Sequence, residues 1–208
     1  ITDAGVSLND PTGDLREICE IACIPSESYS DDFSTDTVSG ATGRYALETD
    51  NGTLAYDSEN KRMQYTIGSV KNGKIRLKSY KFADGRRTFK VTTPPNATFT
   101  SKNGILVGNK TYGLYKTENL NEWVLYNGSS VTSTVFNGFV SGDAVIYDVD
   151  IDMIHGVMYL SIYKEGDNPL SPNALNLKVY GVFNEDFFRI YIHGSEGHVY
   201  YVDDISIR

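Results

Sequence analysis

Asn-Gly and Asp-Gly pairs, or close relatives of them, punctuate this chain: DNG at 50–52, SEN at 58–60, KNG at 71–73, ADG at 83–85, KNG at 102–104, YNG at 126–128, FNG at 136–138 and GSEG at 194–197. Such pairs accept the positive φ angles of tight hairpin turns, and the runs between them are rich in Tyr, Val, Ile and Thr. This pattern leaves little room for helices and predicts an antiparallel all-β domain. In the clearest strand, Lys74 to Ser79, Lys74, Arg76 and Lys78 fall on one face and Ile75 and Leu77 on the other, as expected when one face is wet. Arg62 to Ile67, Gly156 to Tyr163, Leu177 to Val182, Phe187 to His193 and Val199 to Ile207 read the same way.

One short helix is expected near the start, in DLREICEIAC. Asp14 and Glu17 have capping-box spacing, Leu15, Ile18, Cys19 and Ala22 recur at helical intervals, and Pro25 ends the run. Residues 1–28 therefore read as an arm or linker that reaches a neighbouring domain or subunit, and 29–208 as the sandwich. The start at Ile1, with no basic, apolar leader, reads as a processed product or an excised fragment. Cys19 and Cys23, four residues apart, suit neither a zinc framework nor a disulfide scaffold. A chain of 208 residues buries roughly 70% of its unfolded surface without such staples.

No run approaches the roughly 20 apolar residues of a membrane span. The net charge of −8 argues against a general affinity for nucleic acid. The charge is uneven, however: Lys71, Lys74, Arg76, Lys78, Lys81, Arg86, Arg87 and Lys90, with Asp84 as the one acid among them, give residues 71–90 a charge of +7 and leave −15 for the rest. Read as one hairpin, this stretch is either a solvated face or a dock for an anionic partner such as a uronic or sulfated glycan.

Motifs of familiar chemistry are mostly missing. Gly68 to Lys74 has P-loop-like glycine and lysine spacing, but Ile75 follows where Ser or Thr is needed, and the context is strand, turn, strand. There is no Gly-x-Ser-x-Gly elbow, and His155, His193 and His198 lack metal-ligand spacing.

The opening SDDFST (30–35) and closing VYYVDDISIR (199–208) resemble the ends of concanavalin A-like jelly rolls, a group that includes laminin-G-like domains and many carbohydrate-binding modules. The resemblance implies that the first and last strands lie side by side. Strand phase then sets Asp31 with Phe33, and Asp203 with Tyr201, Ile205 and Ile207, so both acids are expected to face the core. Two inward carboxylates on neighbouring strands would need hydrogen bonds or a cation. The resemblance implies a structural Ca²⁺ there, with Asp31 and Asp203 as ligands.

The run DVDID (148–152) resembles the Glu-x-Asp-x-Glu strand of laminarinase-type jelly-roll hydrolases. Asp148, Asp150 and Asp152 share one strand face, but the outer pair, about 13 Å apart at Cα, is badly spaced for the ~5–5.5 Å between carboxyl groups of a retaining glycosidase. The stripe suits shared binding of a ligand or cation, or plain solvation, better than catalysis. For a sugar, exposed aromatic rings matter most, and Trp123, Tyr126, Tyr112 and Tyr115 form the expected platform, with Lys74, Arg76 and Lys78 as contacts to an acidic glycan. Four sequons, at Asn51, Asn96, Asn109 and Asn127, fall in expected turns.

The favoured functional reading is a non-catalytic carbohydrate-binding or adhesion module of a secreted, cell-surface or virion-surface protein. Its rivals are a jelly-roll glycoside hydrolase or polysaccharide lyase acting on an acidic glycan, and an assembly domain of a phage or viral particle.

Overall fold

A computed structural model describes residues 28–81, 84–118, 122–128, 130–136, 138–181, 183 and 187–208. The expected helix and both cysteines lie outside the described residues, as does all of the arm except Ser28.

Two antiparallel sheets face each other across one core. The eight-stranded sheet runs, in order, β13 (Leu175–Tyr180), β12 (Val157–Lys164), β11 (Ala144–Asp152), β6 (Gly85–Thr92), β15 (Val199–Ile207), β4 (Arg62–Thr66) and β3 (Thr53–Asp57), with β1 (Tyr29–Asp31) pairing to the end of β15. The seven-stranded sheet runs β10 (Ser130–Val135), β9 (Trp123–Gly128), β8 (Lys110–Lys116), β7 (Lys102–Val107), β14 (Phe187–His193), β5 (Asn72–Lys81) and β2 (Tyr45–Glu48). Of the strands read from alternation, Phe187–His193 and Val199–Ile207 are present as read, Arg62–Ile67 and Gly156–Tyr163 to within a residue, Lys74–Ser79 lies inside the longer β5, and β13 begins two residues before the expected Leu177. The first and last strands are neighbours, with Asp31 opposite Ile205.

Two expected hairpins are absent. β4 and β5 lie in different sheets, and so do β5 and β6, so the chain changes layer after β4 and again after β5. The basic stretch is thereby divided. Lys74, Arg76 and Lys78 reach the outside of the seven-stranded sheet, Arg86 and Lys90 the outside of the eight-stranded one. Arg87 points inward and is 1% exposed, donating to the carbonyl of Gly85 at 2.7 Å, and burial pulls its guanidinium pKa down to about 10. Nor does the KNG at 102–104 make a turn: it lies inside β7, where Gly104 faces Gly113 of β8.

The core is aromatic. Phe89 and Tyr147 stack at 4.9 Å, Phe188 meets Phe89 edge-on, and Trp123 packs edge-on against Phe139 at 5.0 Å. Each such pair adds roughly 0.5–1.5 kcal/mol beyond its burial. The hydroxyl of Tyr147, fully inside, donates to the carbonyl of Asn103 at 3.0 Å, and burial pushes its pKa well above the usual range.

One irregularity in β15 changes the phase on which Asp203 was placed. The register against β6 shifts between Asp203 and Ser206, and Asp204 adopts φ +50°. Asp tolerates this left-handed conformation better than most residues, and the extra residue of a bulge reverses the in–out alternation. Asp203 therefore shares the outer face with Tyr201, while Ile205 and Ile207 remain buried. Asp31 faces inward as expected. It accepts from the Phe33 amide (2.9 Å) and from the hydroxyls of Tyr29 (2.8 Å), Thr37 (2.6 Å) and Tyr45 (2.9 Å), which ties the first strand to the seven-stranded sheet.

Candidate functional site

The expected ligand residues are distributed over two outer faces and the core. Trp123 (2% exposed) and Tyr112 (5%) are buried and offer no ring to a ligand. Strand parity explains this for Trp123, because Trp123 and Leu125 point inward while Tyr126 lies on the outer face, partly exposed. Asp31 and Asp203 do not converge on a shared cation: one is inside, held by four protein donors, and the other is outside, 3.2 Å from Lys90. Burial and the neighbouring Asp204 raise the Asp203 pKa. No group of three or more His, Cys, Asp or Glu among the described residues is clustered for a metal.

Asp148, Asp150 and Asp152 do share the outer face of β11. Asp148 is gripped by both arms of the Arg86 guanidinium, with Nε 2.7 Å from Oδ1. Asp152 accepts from the backbone amide of His155 and pairs with its ring, contacts that lower its pKa. Only Asp150 of the three presents an open carboxylate. Beyond it lie two exposed rings, Tyr159 and Tyr180, with the Lys178 ammonium over both at 5.1 and 4.9 Å. Across β6 a shallow cavity of about 180 Å³ is lined by Arg86, Thr88, Ser206 and Arg208.

The outer face of the seven-stranded sheet is differently built. β14, late in the chain, inserts between β5 and β7, so registered rows form across the sheet. One runs Glu48, Lys74, Tyr191, Gly104, Gly113, Tyr126, Val131; the next runs Asn72, His193, Lys102, Tyr115, Val124. A third brings Arg76 beside Arg189 and Leu106. At the centre of the first row two glycines face each other, and both are buried. A Cβ on Gly104 would lie 2.1 Å from the Tyr112 carbonyl oxygen, and one on Gly113 2.1 Å from that of Asn103, so neither strand can carry a side chain there. Tyr191 and Tyr126 flank this glycine pair, and burial followed by the Tyr126 phenol raises the Tyr191 pKa.

Tyr115 meets Tyr126 edge-on at 6.2 Å, and the Lys102 ammonium sits 4.3 Å from the Tyr126 centroid and 5.2 Å from that of Tyr115. Among the described residues, the cations Lys74, Arg76, Lys78, Lys102 and Arg189 share the face with the strand acid Glu48. Burial works against the Glu48 charge, but Arg189 and Arg76, each 2.7 Å away, hold its pKa below the usual range. His193 donates from Nδ1 to the Thr100 carbonyl at 2.7 Å, which leaves Nε2 as the acceptor of the neutral ring; burial lowers its pKa.

This face thus joins Tyr115, Tyr126, Lys74, Arg76 and Lys78, expected from the sequence, to Tyr191, His193, Arg189, Lys102, Gly104 and Gly113, which were not. The alternation in β14 already marked Arg189, Tyr191 and His193 as outward-facing. Their neighbours depend on strand order, which no local pattern reveals.

No family model matches the chain, and no curated protein matches it in sequence. Solved structures do match its shape. Peanut lectin in complex with a nine-residue peptide superposes with a TM-score of 0.57 at 11% identity, covering 86% of this chain and 95% of that one. The lectin UEA-II in complex with galactose gives 0.55 at 6% identity, covering 86% and 97%. The fold is that of the concanavalin A-like jelly rolls. Among jelly rolls of this type is also the catalytic domain of a glycoside hydrolase family 131 protein from Coprinopsis cinerea, with a TM-score of 0.52, 14% identity and coverage of 82% and 79%.

Proposed function

We propose that this jelly roll is a non-catalytic carbohydrate-binding module of an extracellular or surface protein, and that it binds an acidic glycan on the outer face of the seven-stranded sheet. The observation that carries the reading is the group of partly exposed rings Tyr191, Tyr126 and Tyr115 on one sheet face, edged by cations. A pyranose ring is flat on its C–H faces and polar at its rim. The partly exposed phenol rings accept a C–H face of the sugar, and Lys74, Lys102 and the arginines meet rim hydroxyls and acid groups. The lectin folds lend support at the level of architecture, since UEA-II was solved with galactose.

A glycan array followed by titration of the best ligand tests this. Tyr126→Ala and Tyr191→Ala each weaken binding about tenfold, the equivalent of ~1.4 kcal/mol, whereas Tyr180→Ala on the opposite face leaves it unchanged. Loss on Tyr180→Ala alone would move the site to the other sheet.

One observation favours an enzymatic reading. β14 sets Tyr191 and His193 two residues apart on the cationic face, where a proton could be moved from a bound uronate. Release of unsaturated oligosaccharide by the wild type would establish that reading in place of simple binding.

A further inference from the structure

One end of the cationic face has features that plain charge attraction does not require. His193 pairs across strands with Lys102 on one side and Asn72 on the other. The Gly194 amide donates to the carbonyl of Lys71 at 3.3 Å, which brings the backbone of Lys71 beside the end of β14. The Thr100 carbonyl holds Nδ1, so the ring is fixed in orientation and only Nε2 can gain a proton. Asn72 contributes a second anomaly. Its side-chain oxygen is buried and has no hydrogen-bond partner among the described residues. A buried acceptor left without a donor is costly, and a ligand hydroxyl would satisfy it.

We propose that His193, Lys102 and Lys71 form a subsite for the carboxylate of a uronic sugar, with Asn72 accepting from a neighbouring hydroxyl, and that the subsite takes up a proton as it fills. The inference rests on the glycan-binding reading and specifies its chemistry.

Unliganded, His193 is disfavoured as a cation by burial and then by the ammonium groups of Lys102 and Lys71, the charges that act on it. The other titratable groups near it are Tyr115, in the same row beyond Lys102, Tyr191 on its own strand, and Tyr200 of β15, whose hydroxyl donates to the His193 carbonyl at 3.3 Å. A carboxylate placed between the two lysines reverses the balance, because it favours the imidazolium and gives its Nε2–H an acceptor. The sign follows. The complex binds a proton that the free protein does not, so affinity for an acidic sugar rises as pH falls through the range in which only the complex is protonated. A neutral sugar lacks this linkage.

Calorimetric titration with trigalacturonic acid and with its fully methyl-esterified form, at pH 5.5 and 7.5 and in two buffers of different ionisation enthalpy, tests the proposal. The acid is expected to bind about tenfold more tightly at pH 5.5, the effect of roughly one unit of pKa change on binding, and to take up protons. The ester is expected to show neither effect. His193→Gln abolishes proton uptake and flattens the pH profile; an unchanged amide NMR spectrum outside the site shows that this variant is folded. Uptake that persists in His193→Gln, or acid binding independent of pH, overturns this subsite while leaving the glycan-binding face standing. Failure of both sugars and of every arrayed glycan to bind overturns the two together.

Discussion

The inward carboxylate of Asp31 supports the sharpest stability prediction. Replacement by alanine removes an acceptor shared by four donors at 2.6–2.9 Å. Thr37 is only half-buried and can turn to water. The hydroxyls of Tyr29 and Tyr45 are 3.0 Å apart and can still bond to each other. The Phe33 amide, on a residue with no exposure, loses its acceptor, and the buried Tyr45 hydroxyl loses its charged one. Hydrogen bonds to charged groups contribute ~1.5–3 kcal/mol each, so Asp31→Ala should cost about 3–6 kcal/mol. For a domain of this size that is a fall in Tm of about 10 °C or more. Chemical denaturation should show the loss with little change in m-value, and hydrogen exchange should place the earliest opening at β1 and β2. A loss below about 1 kcal/mol would refute the reasoning. So would a wild-type Tm that rises with calcium and falls with EDTA, with the effect gone in Asp31→Ala, because the carboxylate would then hold a metal in place of the hydroxyls.

Other predictions follow from single contacts. Arg86→Met leaves the buried Asp148 without its bidentate partner and should destabilise by about 1–3 kcal/mol, while Arg86→Met combined with Asp148→Leu should recover much of the loss in a double-mutant cycle. Asp57, whose hydrogen bonds from Asn60 and Arg62 outweigh desolvation and hold its pKa down at about 2, stabilises the fold above pH 3.8, and this contribution is lost as pH falls towards 2; Asp57→Asn should therefore flatten acid unfolding in that window.

Much of the architecture was legible because it is local. Hairpin chemistry and period-two alternation in segments such as Lys74–Ser79 and Phe187–His193 depend on neighbours in sequence, and these strands form where expected. What stayed hidden was non-local or a single-residue exception. Nothing around Gly68 or Asp84 indicates that the chain changes layer there, because the same turn residues serve hairpins and crossovers alike. The phase of VYYVDDISI misleads by one position, since the left-handed Asp204 inserts a residue that simple alternation cannot anticipate. The site suffered most from this. Lys74 and Tyr126 were visible as an exposed cation and an exposed ring, but they share a row only because β14 comes between β5 and β7.

The position of β15 also bears on how the protein is made. Val202 pairs with Val91, 111 residues earlier, and with Met63, earlier still. On a ribosome, β6 and β4 emerge long before the strand that joins them, and each waits with an unpaired edge while more than a hundred residues are added. Pairing at such sequence separation is slow, and open edges invite association with other nascent chains. The eight-stranded sheet can be completed only after residues 199–207 are synthesised, so chains stalled before that point are the ones a chaperone must protect.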